Sequence, residues 1–200
     1  MTPQSLREQH AETTRVRILS AVAELLEAEH AEELTMPDVA AASGVSLRTV
    51  YRYYPTRAEL LEAAGRWIGD ELFRHPYPRN LDEVAERFRT EAAHFDERPG
   101  LVRALALSQL GREVRGYRRR ERLDAIQGAL RKELGALPED ELRRAEAVIA
   151  YLHNMLAYTT LREENGLSGE EIGEALAWAI QTLVADLRLR NTFNKEDGNE

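Results

Sequence analysis

The 23 residues from Thr35 to Arg57, TMPDVAAASGVSLRTVYRYYPTR, restrict this chain more than any other stretch. Thr35 is placed to cap a helix starting at Met36, because its hydroxyl can accept an unmatched N–H of the first turn. Pro37 falls within that turn, where a missing N–H costs little. Val39, Ala40 and Ser43 share one side, and Gly44 stops the helix with the left-handed backbone that glycine tolerates. Val45 plugs the corner, Ser46 caps a second helix over Leu47–Tyr53, and Pro55 ends it. Two short helices joined by about three residues that include a glycine form a helix-turn-helix.

The second of these helices has two unlike sides. Val50 and Tyr54 face inward, whereas Arg48 and Arg52 share another side with Thr49 and Tyr53 next to it. Ser43–Arg57 holds three arginines and no acid, in a chain of net charge −8. Cationic, aromatic and hydroxyl groups on one short helix suit a DNA major groove, where arginine meets guanine or phosphate and hydroxyls meet phosphate or base edges. The competing reading is a core hairpin with solvated arginines, but cap, glycine, cap and proline stop occur in helix-turn-helix order.

Residues Arg17 to Leu61 resemble the DNA-binding domain of the TetR family of transcriptional regulators. The resemblance rests on Arg17-Ile18-Leu19, Ala21 to Leu26, Thr35-Met36, Val39-Ala40 and Ala42-Ser43-Gly44-Val45-Ser46. It continues through Thr49-Val50-Tyr51, Tyr53-Tyr54, Arg57 and Glu59-Leu60-Leu61. It covers about a quarter of the chain. It implies an all-α fold: a three-helix DNA-binding head joined to a divergent helical domain that dimerises and binds a small molecule, about nine helices in all. The partition expected is a flexible arm over 1–14, the helix-turn-helix domain over 15–56, the ligand-binding and dimerisation domain over 57–190, and a disordered tail over 191–200.

Within the motif, Leu47, Arg48, Thr49, Arg52 and Tyr53 are the candidates that face DNA, with Arg48 and Arg52 the base readers. Thr35, Ser46, Tyr51 and Arg57 are candidate phosphate contacts, Arg57 standing where the resemblance implies a basic one. Leu47 could meet a thymine methyl. Arg7, Arg15 and Arg17 lie in or near the arm and read as solvated charges or as minor-groove contacts. Glu24–Asp38 holds six acids and no Lys or Arg, so that surface should face away from phosphate. The acidic total argues against indiscriminate coating of nucleic acid but not against a focused contact.

The rest of the chain reads as helices. The first runs over Arg15–Ala28 with an apolar stripe of Ile18, Ala21, Val22, Leu25 and Leu26. Thr56 caps a fourth, from Arg57 to about Phe73, and His75–Pro78 breaks the chain. Five more follow: Leu81–Phe95, Gly100–Leu110, Arg115–Leu134, Glu139–Glu164, and Ser168 to about Arg190. On the first of these Val84, Ala85, Phe88, Ala92 and Phe95 point inward. The basic run Arg115–Arg122 spreads around its helix and reads as solvated or ion-paired. The helices over 139–164 and 168–190 are apolar on more than one side, so each needs a second partner, and the resemblance implies a homodimer through these two.

An effector pocket should be mostly apolar with a few orienting polar groups. Phe88, Phe95, Leu105, Gln109, Tyr117, Tyr151, Asn154, Met155 and Tyr158 are the candidate ligand residues, and His94, His153, Leu107 and Ile126 are of the same kind. No cluster of acids or amines points to a strongly charged ligand, so the effector expected is weakly polar or aromatic. No membrane span, metal site or cofactor is expected, and there is no cysteine for disulfide or thiolate chemistry. Nucleophile-elbow, HExxH, Walker and Rossmann patterns are absent, which argues against an enzyme. The chain lacks the apolar core of a signal peptide and is expected in the cytoplasm. The leading expectation is a homodimeric repressor released from a near-palindromic operator by the effector. An activator, a ligand-binding helical dimer and an effector-free DNA-binding protein with a nucleoid role are the alternatives.

Overall fold

The computed structural model describes residues 6–28, 34–72 and 77–197, apart from the side chains of Tyr117 and Asp197. The described residues form ten helices: α1 (Leu6–Glu27), α2 (Met36–Ser43), α3 (Leu47–Tyr53), α4 (Arg57–Leu72), α5 (Leu81–Phe95), α6 (Pro99–Leu107), α7 (Gln109–Glu133), α8 (Glu139–Leu152), α9 (Met155–Asn165) and α10 (Gly169–Asp197). The chain divides into two compact units, Met1–Glu71 with Arg103–Arg118, and Leu72–Val102 with Arg119–Glu200. Among the described residues no helix is long and apolar enough to cross a membrane.

In the first unit α1 packs on α2 and α2 on α3. Ile18, Val22, Val39 and Val50 are fully buried, with Leu26, Met36 and Tyr54 close to it. The expected inward stripe of α1 is therefore the head's core. Helix α1 starts earlier than its apolar stripe suggests: residues 6–14, which the sequence reading leaves in the arm, are helical. Nothing in that segment breaks a helix, and the Thr13 and Thr14 hydroxyls donate back to the carbonyls of Gln9 and His10 at 2.9 and 2.8 Å. Thr56 caps α4 as its spacing predicts, its hydroxyl accepting the Glu59 N–H at 3.2 Å. The acids at 29–33 lie outside the described residues, as do Phe73, the expected end of the fourth helix, and His75 and Pro76 of the expected break.

The second unit is built on α10, which packs against α5 and also meets α8 and α9. Its core gathers Leu81, Val84 and Ala85 of α5, Ile126 and Leu130 of α7, Ile149 of α8, and Ala177, Ile180, Val184 and Leu187 of α10. Small residues bring α5 and α10 together. A Cβ added at Gly169 would stand 2.3 Å from the Ala92 carbonyl oxygen, and one at Gly173 2.6 Å from that of Arg89. Gly128, in the interior of α7, meets nothing within 4 Å. Alanine ordinarily favours a helix interior over glycine by about 1 kcal/mol. Gly128→Ala should therefore raise Tm, whereas Gly173→Ala should lower it because backbone must yield. Thermal unfolding of the two variants tests the opposite signs.

Two expectations from the sequence are corrected here. The helix expected over Glu139–Glu164 is two helices, parted at His153-Asn154. The stretch holds neither proline nor glycine; Asn154 leaves the helical region (φ −147°, ψ 145°) and its side chain accepts the Leu156 N–H, capping α9. The tail expected to be disordered from Asn191 continues α10 to Asp197. Buried Asn191 is the reason: its amide oxygen accepts Ala136 N–H at 2.9 Å and its amide nitrogen donates to Glu133 O at 3.3 Å, at the end of α7. Residues 198–200 lie outside the described residues.

Candidate nucleic-acid interface

The turn that aims α3 is fixed at both ends. Thr35 and Asp38 form a capping box, with the Asp38 N–H donating to the Thr35 hydroxyl at 3.3 Å and the Thr35 N–H to the Asp38 carboxylate at 3.0 Å. The Thr35 hydroxyl bonds the same carboxylate and holds the Asp38 carboxyl below its usual range. Gly44 ends α2 at φ 65° and ψ 25°, in the left-handed region. Arg17 then reaches from α1 to donate to the carbonyls of Ser43 at 2.9 Å and Gly44 at 3.4 Å. A cation at the negative end of α2 satisfies carbonyls that have no partner within the helix. Arg17 thus locks the turn, a role that local spacing did not reveal.

Ser46 opens α3. Its hydroxyl accepts the Thr49 N–H at 3.2 Å and lies 2.8 Å from the Thr49 hydroxyl. Val50 is fully buried and Tyr54 nearly so, which leaves Leu47, Arg48, Tyr51 and Arg52 exposed and Thr49 and Tyr53 half-buried. The Arg52 guanidinium lies 5.3 Å from the centroid of the Tyr53 ring, and that of Arg15 lies 5.8 Å from it. Cation–π contact groups the two positive charges around one aromatic ring. Arg15 also pairs with Glu12 at 3.4 Å. Burial pushes the Tyr54 phenol up, with Arg15 opposing. Arg15 comes to the reading helix only through folding, so its place in the sequence marked it no more than as an arm charge.

The candidate DNA contacts Thr35, Ser46, Leu47, Arg48, Thr49, Tyr51, Arg52, Tyr53 and Arg57 all lie in the first unit. Several hydroxyls and cations there have structural partners too: Thr35 and Ser46 cap helices, and Arg57 donates to the Leu34 carbonyl at 2.9 Å and to Glu113 at 3.0 Å. The candidate ligand residues are divided. Leu105, Gln109 and Tyr117 belong to the first unit; Phe88, Phe95, Tyr151, Asn154, Met155 and Tyr158 belong to the second. Phe88, Phe95, Met155 and Tyr158 are buried, with Phe88–Phe95 and Phe95–Tyr158 ring centroids 6.2 and 5.1 Å apart. Tyr158 bonds Asp96, which also takes Arg162 and, at 2.7 Å, the Gly169 N–H opening α10. Tyr151 and Gln109 are exposed, and Asn154 serves as the α9 cap.

His153 joins this aromatic group, its ring 5.0 Å from that of Phe88. Burial, and then the nearby positive charges of Arg122 and Arg87, hold its imidazole down to about 3 from an ordinary 6.5. Between those values the unfolded chain binds a proton that the native state refuses, so this contribution to stability is complete above pH 6.5 and is lost as pH falls toward 3. Urea denaturation from pH 7.5 to about pH 5 should give falling stability, with a shallower slope for His153→Phe.

Comparisons with known proteins agree with this geometry. The family model "Bacterial regulatory proteins, tetR family" matches residues 18–64, from α1 into α4. The chain is 44% identical over 70 residues to the HTH-type transcriptional repressor LfrR of Mycolicibacterium smegmatis, covering 35% of this chain and 36% of that protein. The chain thus spans about a third of the length of that relative. It is 28% identical over 188 residues to the nucleoid occlusion factor SlmA of Shewanella amazonensis, covering 91% of this chain and 84% of that protein. Its fold resembles that of NalD from Pseudomonas aeruginosa, the secondary repressor of a multidrug efflux pump, with TM-score 0.61, 17% identity and coverage of 86% and 96%. A TetR transcriptional regulator from Rhodococcus sp. RHA1 gives TM-score 0.53 at 19% identity, with coverage of 86% and 97%. The chain thus carries, over residues 18–64, the N-terminal helix-turn-helix domain of the tetR family of bacterial regulatory proteins, followed by a helical C-terminal domain.

Proposed function

We propose that the protein is a homodimeric repressor that holds a near-palindromic operator through two copies of α3 and is released by a weakly polar or aromatic small molecule. The observation that carries this reading is the form of α3: capped at Ser46, rooted by Val50 and Tyr54, and exposing Leu47, Arg48, Tyr51 and Arg52. Arg48 and Arg52 read bases; Thr35, Ser46, Tyr51 and Arg57 meet phosphate. The sign of regulation rests on the likeness to LfrR, itself a repressor. The domain partition is a DNA-binding domain ending near residue 56, followed by a ligand-binding and dimerisation domain. Exposed Val148 and Tyr151 on α8, with Trp178, Leu189 and Phe193 on α10, supply the apolar surface for a second copy.

Arg15 belongs to the DNA-facing set, because it shares the Tyr53 ring with Arg52. Arg15→Ala should weaken operator binding several-fold and reduce the salt slope by about one charge, whereas Glu12→Gln should strengthen binding by freeing Arg15. Fluorescence anisotropy at several salt concentrations reads both.

The test of the whole reading is binding to DNA flanking the protein's own gene, with random DNA alongside and a random-sequence selection as the second step. Salt-sensitive binding of a dimer to a near-palindrome supports it; failure on both DNAs sinks it. A second reading is favoured by the likeness to SlmA, which extends over most of both chains: an effector-free DNA-binding protein with a nucleoid role. A specific thermal shift by a small molecule that also releases operator DNA decides for the first reading.

A further inference from the structure

His153 is the residue of the second unit whose polar side-chain atoms are all buried without a hydrogen bond, among the described residues. It is 2% exposed, and both ring nitrogens are buried without a hydrogen-bond partner. A neutral imidazole always carries one N–H donor and one acceptor, and each left unmatched in the interior costs about 1–3 kcal/mol. Several polar side chains of the unit have partners. Arg87 pairs with Glu91, the Thr159 hydroxyl donates to the Met155 carbonyl at 2.8 Å, and Tyr158 bonds Asp96.

The helix also ends at this residue. His153 ends α8 at φ −85° and ψ 56°, and its carbonyl accepts the Arg122 guanidinium. An apolar helix is thus interrupted, without proline or glycine, at its one buried imidazole. A buried polar group without a partner calls for an explanation, and a ligand supplies one. One wall is Phe88, with Phe95 and Tyr158 next in the ring-to-ring series.

We propose that His153 is the polar anchor of the effector site, and that the site takes an uncharged aromatic compound bearing a hydroxyl or carboxamide. This rests on the small-molecule-released regulator proposed above. A hydroxyl or carboxamide both donates and accepts, as the imidazole does. Arg87 is paired with Glu91 and Arg122 bonds the His153 carbonyl, so a charged ligand would be buried against a neutral imidazole that offers it no opposite charge. The aromatic part of the ligand stacks among Phe88, Phe95 and Tyr158. Because these rings are buried, the ligand selects a form in which they have parted, and this difference between forms gives it a route to change the population that binds DNA.

The test uses the full-length protein with 15N-labelled histidines, the His153 signals being assigned from His153→Phe. Phenol and benzamide are the probes, with benzoate and benzylamine as charged counterparts. Phenol or benzamide should move the His153 nitrogen resonances saturably and raise Tm, and the charged pair should not. His153→Phe should bind the probes about tenfold more weakly, as expected for one lost buried hydrogen bond. His153→Gln, which keeps a donor and an acceptor, should retain part of the binding and covers the case in which the phenylalanine variant misfolds. Neutral probes that leave the nitrogens unmoved, or that bind His153→Phe as well as the parent, overturn the proposal and leave a core histidine satisfied by water. Operator binding is read on the same samples. Retained operator binding with inert probes sinks only this site, whereas absent operator binding sinks the regulator reading.

Discussion

Glu91→Ala should destabilise the protein by about 3–5 kcal/mol, because it strands a buried guanidinium without its charge partner. Arg87 and Glu91 stand one turn apart on α5, with side chains only 6% and 0% exposed, and the guanidinium bonds the carboxylate directly. Tyr77 packs 5.2 Å from the Arg87 guanidinium. An exposed pair of the same spacing contributes only a few tenths of a kcal/mol, so burial determines the size of the effect. The pair itself is not what stabilises the unit: desolvating two ions offsets most of their attraction. The double variant Arg87→Met/Glu91→Leu should therefore recover most of the loss. Urea denaturation of the parent, the single variant and the double variant measures this. A single-variant loss under about 1 kcal/mol would mean that water reaches Arg87 and screens it.

The same pair shows where sequence reasoning reaches its limit. On α5 the apolar periodicity picks out Val84, Ala85, Phe88, Ala92 and Phe95, all fully buried or nearly so. It passes over Arg87 and Glu91, because hydropathy is scored residue by residue and a buried ion pair is tolerated only as a pair. Caps were legible for the opposite reason. Thr35, Ser46, Thr56 and Ser168 each bond a backbone N–H three residues on, a purely local geometry. The early start of α1 and the extension of α10 were less legible. The first lies in a polar segment that merely lacks a helix breaker, and Asn191 reaching the end of α7 carries the second. Neither leaves an apolar signature.

In the candidate interface the composition of α3 was legible, and the way the turn is held was not. Arg17 capping α2 and Arg15 sharing the Tyr53 ring are contacts between elements. A list of charges near the N-terminus cannot separate them from solvated residues. The break at His153-Asn154 was hidden as well, since Asn154 on an apolar stripe reads as a pocket group until its cap bond to Leu156 is seen.

Arg48→Ala/Arg52→Ala should reduce affinity for the selected operator by about 2–6 kcal/mol, from two base contacts worth about 1–3 kcal/mol each. Both side chains are exposed, and α3 is rooted through Val50 and Tyr54, so unfolding should be unchanged within about 0.5 kcal/mol. The loss should fall mainly on specific binding, because non-specific affinity comes from phosphate charge. Arg57→Ala is the contrasting variant. Its guanidinium holds Leu34 O and Glu113, so it should lose stability and weaken binding to operator and random DNA alike. The two residues of the double variant need not contribute equally. Arg52 lies over Tyr53, which limits where its guanidinium can point. Arg48 lacks that ring contact and bears a larger entropic cost on binding. Arg52→Ala alone should therefore relax sequence preference more than Arg48→Ala alone. Equal losses on operator and random DNA for the double variant would make both arginines phosphate contacts. Base reading would then pass to Leu47, Thr49, Tyr51 and Tyr53, the remaining side chains of α3 that are not held in the core.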